Sequence, residues 1–596
     1  MSQSFFATAD LPQQFALFFR EEGFQPFAHL LFRKLNEGHV CIHTSDLEAE
    51  KESLPERYRE TLAAGRCSPY HAGLVGTETD LRKPFILHND RLYLQRYFQY
   101  ETTCVERIRR FVEEEKEFLE VRTEALRAQK SLLEKLFSTP TTGPDWQLTA
   151  ALCAALQNFT IITGGPGTGK TTTVAKLLAL LFTLQPELRV ALAAPTGKAA
   201  ARMAESLRQA TLPDGLDHIQ DAFARLSPAT IHRLLKARRA SPYFHHNAEN
   251  PLPFDLIIAD ESSMIDVALF AKLLQAVGPG TRLILLGDKS QLASVEAGSL
   301  FGDLCGALPT VNGFSEEWRQ LLNDIFPENA TALPAQTACD DAPGHPLFGR
   351  IIALQVSHRF RDDAGIGRFS KAVIHNDEAT LDHFISQQDD VQVCLDADHD
   401  PVVFEHFIAG YEDFILEKDI HTALQTLARR RVLVVTRQGP YGLADTNSAI
   451  EEFLFRKKLL NPTTGHYHNR PVILTKNYPD LGLFNGDTGI VRRDEKGVLR
   501  VWFEDAAGGV RSVLPGYLPD AQTAFAMTVH KSQGSEFNEV LIRLPDREDM
   551  ALLSRELLYT AVTRAREKVW IQGSGSVVRA AAARKIARAS GIHERF

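Results

Sequence analysis

Between residues 146 and 345, short apolar runs alternate with longer stretches whose apolar positions recur every three to four residues. The runs FTIIT, VALAAP, DLIIAD and RLILLGD each stop at a glycine, a proline or an acid. Apolar runs without strict alternation suit strands covered on both faces, and the helical stretches between them supply the cover. The pattern predicts a parallel α/β sheet with its chemistry at the strand carboxyl ends. TALPAQTACDDAPGHPLFG (331–349) reads as a connector, and a second α/β unit follows with RVLVVT (431–436) and VLIRLP (540–545) as core strands. From about 466 to 520 the pattern shortens to PVILTKN, GDTGIVRRD, VLRVWFED and VRSVLP, separated by Gly, Asp and Asn turns, which predicts a small β-barrel inserted in that unit. Residues 1–137 are patterned mostly as helices and end in the mixed-charge stretch from Val105 to Phe137, which suits a solvated helical face. STPTTGPD (138–145) breaks periodicity. The expected domains are therefore 1–137, 138–345 and 346–596.

The strand FTIIT leads into GGPGTGKTTT (164–173) and then a helical stretch, the setting in which G-x-x-x-x-G-K-[ST] is a phosphate-binding loop. Gly164, Gly165, Gly167 and Gly169 allow the backbone to turn successive N–H groups inward around phosphate at a helix N-terminus. Lys170 brings a compact charge to the β and γ phosphates, and Thr171 places a hydroxyl for Mg²⁺. Thr168 and Thr172 complete the expected contact set. The loop implies ATP or GTP binding.

Composition changes this picture little. Hydrophobic residues make up 44% and charged residues 24%, as in an ordinary globular chain, and 596 residues exceed one core. The net charge of −9 argues against a basic outer coat but not against a basic channel. Seven dispersed cysteines show no zinc spacing and read as reduced thiols. The apolar start FFATADLPQQFALFFREEGF is broken by Asp10 and Arg20, has no basic leader and falls short of a membrane span, so a cytoplasmic protein is expected.

Further motifs follow in series. DLIIADESSMID delivers Asp260, a candidate Mg²⁺ ligand, and Glu261, which can orient or deprotonate an attacking water; an acidic pair that simply ends a strand is the plainer alternative. RLILLGDKSQLASVEAG places Gln291 to sense the γ-phosphate. With AAPTGKAAARM (193–203), ATIHRLL (229–235), AMTVHKSQGSEF (526–537) and ELLYTAVTRAR (556–566), the order resembles the superfamily 1 helicases, and GGPGTGKTTTVAKLL, LAAPTGKAAARM, LGDKSQLASVEAG, GLFNGDTGI and MTVHKSQGSEF together narrow the resemblance to the RecD family, the α subunits of exodeoxyribonuclease V. It covers about residues 146–596, with weaker phrases GHVCI and DRLYLQR before that.

The resemblance implies two RecA-like P-loop domains and an ATP-dependent 5′–3′ DNA helicase using Mg²⁺. It implies partners too: single-stranded DNA, duplex DNA ends, and RecB-like and RecC-like subunits in a heterotrimer that processes double-strand breaks. Gln147 resembles the adenine-reading glutamine, or is a surface residue. Arg359 and Arg564 resemble the arginines that reach the γ-phosphate from the second domain. Pro195, Thr196, His232, Thr528, His530 and Lys531 lie in motifs that line the DNA path, although either histidine could instead be a core residue. Ser262 stands where Ala is commoner and His358 where Tyr is expected. No nuclease carboxylate cluster stands out, so exonuclease activity is expected in a partner. A non-translocating ATP-controlled scaffold is the rival reading, separated by DNA-stimulated turnover with strand separation. A P-loop kinase leaves the C-terminal motifs unexplained. The N-terminal region is expected to dock a partner, with Phe5, Phe6, Phe15, Phe18 and Phe19 either in that interface or in the domain's own core.

Overall fold

The computed structural model describes residues 10–137, 143–238, 241–339, 344–361, 363–387, 390–462, 465–505 and 508–596. Phe5 and Phe6, and most of the expected 138–145 break, lie outside the described residues.

The first strands are β1 (Cys41–His43), β2 (Val75–Gly76), β3 (Phe85–His88) and β4 (Arg91–Leu94), in the order β1-β4-β3-β2. Helices pack on this small sheet. Phe15 stacks on Phe32 with centroids 4.6 Å apart, and Phe19 meets Phe85 edge-on at 5.1 Å, so both fill the local core, whereas Phe18 is 83% exposed.

The first motor sheet contains β5 (Phe159–Gly164), β6 (Val190–Ala194), β7 (Ala229–Thr230), β8 (Leu256–Ala259), β9 (Arg282–Gly287) and β10 (Ile351–Leu354), all parallel in the order β10-β5-β9-β8-β6-β7. Every residue of β5, β8 and β9 is buried, which explains apolar runs that do not alternate. Next come β11 (Val393–Asp396) and β12 (Arg430–Val434). An antiparallel insertion follows, with β13 (Arg470–Ile473), β14 (Thr488–Arg493), β15 (Leu499–Glu504), β16 (Val510–Val513) and β17 (Gln522–Thr523) in the order β16-β15-β14-β13-β17. The chain then returns through β18 (Ala526–Thr528), β19 (Phe537–Arg543) and β20 (Ala565–Gln572) to complete a second parallel sheet, β11-β20-β19-β12-β18. Two parallel motor sheets are thus present, the second interrupted by an antiparallel unit.

Residues 95–137 share the first motor's cores. Helix Gln95–Glu114 buries Cys104, Val105, Ile108 and Phe111 in one cluster with Phe159 and Ile257, and Phe111 stacks on Phe159 at 5.8 Å. Leu126, Leu133 and Leu136 join the other face of the sheet. Glu115, buried with Arg350, accepts from Arg350 Nη1 and from the Asn158 amide, each at 2.8 Å. A division at residue 138 therefore separates segments that share a core. The mixed-charge stretch is solvated on only one side.

The C-terminal residues return to the N-terminal sheet: Val40 N–H donates to Ala589 O at 3.0 Å, Ser590 Oγ to Glu101 Oε1 at 2.8 Å, and Arg91 Nη2 to Glu594 Oε1 at 2.6 Å. Among the described residues, no helix is long and apolar enough to cross a membrane.

Candidate ATP and DNA site between the motor sheets

β5 ends at the phosphate loop, and helix Lys170–Leu184 starts immediately after it. Gly167 and Gly169 have φ of +80° and +84°, values that L side chains rarely adopt. Space excludes a side chain as well: a Cβ on Gly167 would run into that of Arg359, one on Gly169 into the Gln147 amide, and one on Gly165 would lie 2.9 Å from Tyr559 Oη. Lys170 Nζ donates to Gly164 O at 2.6 Å and Gly165 O at 3.2 Å. Thr168 Oγ1 donates to Gly165 O at 2.9 Å; Thr171 is half-buried and Thr172 exposed at the helix start.

Gln147 lies on the helix capped by Asp145 and donates to Thr168 O at 3.3 Å. The loop after β10 clasps the phosphate loop from the other side, with His358 N–H bonded to Gly167 O at 2.8 Å and Ser357 Oγ to Pro166 O at 3.2 Å. The His358 ring is 3.5 Å from the Gln147 amide, so the residue that replaces the expected Tyr stands beside the loop.

Asp260 follows β8, its N–H tied to Ala193 O at 2.9 Å. Burial, then the neighbouring Glu261 charge, raises its carboxyl to about 6, with Lys170 opposing. Glu261 has φ of +51°, a left-handed conformation uncommon outside glycine and a frequent mark of functional turns. Ser262 explains itself: its buried hydroxyl donates to Ala259 O at 2.9 Å and closes the turn.

The turn after β9 joins the two motors. Buried Asp288 accepts from Gln291 Nε2 at 3.2 Å and from Tyr559 Oη at 3.0 Å, while Leu292 N–H reaches Thr560 Oγ1 at 2.9 Å and Gln533 Nε2 reaches Leu292 O at 2.8 Å. Among the described residues, Gln291 Oε1 and Arg359 Nη1 are buried without a hydrogen-bond partner. Arg359 Nη2 pairs with Glu536 at 2.8 Å. Arg564 is 3% exposed and donates to Thr560 O and Ser535 O at 3.1 Å each, contacts that stay within the second motor.

On the other edge, Pro195 and Thr196 follow β6, and Thr196 Oγ1 caps helix Gly197–Arg208 by accepting from Ala199 N–H at 3.2 Å. Thr528 caps Val529–Ser532 in the same way, the Lys531 N–H donating at 3.4 Å. Half-buried His530 and Lys531 follow on this short helix, and Lys531 Nζ reaches Gln522 at 3.3 Å. An ideal Cβ on Gly534 would lie 3.8 Å from Thr196 Oγ1, so the segment after β6 meets the segment after β18. His232 is exposed, with its ring 5.8 Å from that of Phe244. The insertion reaches this edge through Phe484, which packs on Gly197 and lies 5.5 Å below the Arg233 guanidinium.

Asp288, Tyr559, Gln533, Thr560, Glu536, Arg202 and Arg566 did not emerge from the sequence reading as site residues. All stand inside the quoted motifs, but their pairings join distant segments, Asp288 to Tyr559 across 271 residues and Arg202 to Glu536 across still more, and no spacing signals them.

Residues 147–297 match the AAA domain family, and residues 523–572 match the UvrD-like helicase C-terminal domain. The RecBCD enzyme subunit RecD of Mycobacterium tuberculosis is 38% identical over 582 residues, covering 95% of this chain and 89% of that protein. The ATP-dependent RecD2 DNA helicase of Deinococcus radiodurans is 31% identical over 500 residues, 79% of this chain and 58% of that protein. Among solved structures, the Pif1 helicase from Bacteroides in complex with ADP-AlF3 and ssDNA aligns over 72% of this chain and 91% of its own, at 16% identity and a TM-score of 0.37.

A phosphate loop within the AAA-domain match, facing a second parallel sheet that carries the UvrD-like helicase C-terminal match, defines a nucleotide-driven helicase of superfamily 1. Within that class the chain belongs to the RecD family.

Proposed function

We propose that this chain is an ATP-dependent 5′–3′ DNA helicase acting within a RecBCD-type helicase–nuclease on duplex DNA ends. The carrying observation is that Arg359 and Tyr559 crowd the glycines of the phosphate loop while Thr196 meets Gly534 at the other edge, so one cleft between the motors joins the nucleotide and DNA motifs. The residues fit a magnesium nucleotide. The glycine cradle excludes Cβ atoms, Gln291 Oε1 and Arg359 Nη1 lack partners, and Thr171 and Asp260 offer the oxygen donors that a hard cation prefers. The bound Mg²⁺ would neutralise charge building on the phosphates.

In this reading Gln147 meets the adenine, and the loop Gly165–Thr172 holds the phosphates with Lys170. Glu261 takes a proton from, or orients, the attacking water. Gln291 senses the γ-phosphate, and Arg359 and Arg564 stabilise transition-state charge when the cleft closes. Pro195, Thr196, His232, Thr528, His530 and Lys531 hold backbone phosphates with little reading of sequence. Alternating closure and opening converts turnover into movement.

The N-terminal unit, residues 10–94, fits docking to a RecC-like subunit through the groove lined by Phe15, Phe18, Phe19, Leu74 and Phe85 together with Arg20 and Glu21. ATP hydrolysis measured with and without single-stranded DNA tests the motor reading. Stimulation is expected, and turnover indifferent to DNA would support a scaffold role instead.

A further inference from the structure

Glu536 gathers three guanidinium groups from three separate parts of the chain. Its Oε1 accepts from Arg359 at 2.8 Å, while its Oε2 pairs with Arg566 at 2.8 Å and with Arg202. The carboxylate is 10% exposed. Burial pushes it up, but the charges of and bonds to Arg202 and Arg359 prevail and hold it well below the usual carboxylate range, so it stays ionised.

The three arginines lead to different places. Arg359 belongs to the loop that clasps the phosphate loop, and its Nη1 has no partner. Arg566 stands in β20 of the second motor. Arg202 lies on helix Gly197–Arg208, whose first turn touches Gly534 and Phe484 on the DNA edge, and it also feels the charges of Glu261 and Asp260. One negative charge is thus shared among three positive ones. Strengthening one pairing weakens another, and the γ-phosphate competes with Glu536 for Arg359.

We propose that Glu536 is a positioning residue that couples the DNA path to ATP hydrolysis: it holds Arg359 back from the γ-phosphate and releases it when DNA bound at the head of helix Gly197–Arg208 shifts that helix so that Arg202 pairs more tightly with Glu536. This rests on the helicase reading above. Removing the negative charge frees Arg359 without DNA, whereas removing Arg202 leaves more of the charge for Arg359 and tightens the hold.

The test is steady-state ATP hydrolysis by the full chain, with and without oligothymidylate, with Lys170→Gln as the blank. Glu536→Gln is expected to raise DNA-free kcat by roughly fivefold or more, the lower end of ordinary coupling between sites, and to reduce the stimulation ratio accordingly. Arg202→Gln is expected to move DNA-free turnover the opposite way. Opposite signs from neighbouring substitutions are not produced by general damage to the fold. Equal losses with and without DNA for Glu536→Gln, an unchanged ratio, or the same direction in both variants would overturn the coupling. If Glu536→Gln does not fold, Arg202→Gln decides alone: lowered DNA-free turnover supports the proposal, and unchanged or raised turnover refutes it. Absent stimulation in the parent chain overturns the helicase reading and this coupling with it, whereas normal parental stimulation with an unaltered ratio in the variants defeats only the coupling.

Discussion

Lys170 and the two arginines make different demands on their surroundings. Lys170 is half-buried and, among the described residues, bonded to the Gly164 and Gly165 carbonyls, so Lys170→Gln should abolish ATP turnover and leave the melting transition unchanged. Normal hydrolysis by a folded Lys170→Gln protein would remove the site assignment. Arg359→Ala and Arg564→Ala should both keep nucleotide binding and lose roughly 10³-fold or more in turnover, the usual contribution of such arginines. They should differ in stability. Arg564 ties two buried carbonyls, so its loss also leaves acceptors unpaired and lowers the melting temperature, while the partly exposed Arg359 leaves Glu536 with two other partners. Calorimetry beside kinetics separates the two, and near-normal DNA-stimulated turnover in either variant would end its assignment. At this scale much was legible from sequence. The phosphate loop reads clearly because ten consecutive residues carry all of its geometry. The Asp288–Tyr559 bond and the sharing of Glu536 were not legible, because each joins residues that only the packed motors bring together.

Helix Gln95–Glu114 shows how an element can mislead. Its mixed charges suggested a solvated helix, yet its apolar stripe, one face in three to four residues, lies against the motor sheet. Phe111→Ala should therefore cost about 3–5 kcal/mol, the ordinary loss for a buried aromatic, measurable by denaturant unfolding. Deleting residues 1–137 should yield an aggregated or non-cooperatively folding motor; a soluble remnant with full ATPase activity would show instead that the boundary near 138 is a true domain division. Asp303, on helix Leu300–Gly306, is a pH-dependent group beside Glu101 of helix Gln95–Glu114, with Ser590 and Arg588 of the returning C-terminal segment opposing its shift. Burial, then the charge of Glu101, raises Asp303 to about 7, far above its unfolded value near 4. Between those pH values the folded chain holds a proton that the unfolded chain has released, so stability falls as pH rises, by at most about 1.4 kcal/mol per pH unit for one proton. Asp303→Asn should flatten that slope, and denaturant midpoints measured from pH 5 to 8 would show it; an unchanged slope would mean that Asp303 does not set it.

For the whole molecule, the alternation of apolar runs and helical stretches announced both parallel sheets, and their partner strands follow the expected carboxyl-end logic. The way the motors meet was not readable, since the turn after β9, the clasp around Gly167 and the Phe484 contact with Gly197 all join distant segments. Those contacts are what a motor must make and break, so directed movement is the central claim. The most direct measurement is ATP-driven unwinding by the full chain of two matched DNA duplexes, one with a 5′ and one with a 3′ single-stranded tail, beside the Lys170→Gln protein. The account predicts unwinding of the 5′-tailed duplex, little of the 3′-tailed one, and none by the variant. Strand separation only from a 3′ tail, or vigorous DNA-stimulated hydrolysis without separation of either duplex, would contradict it.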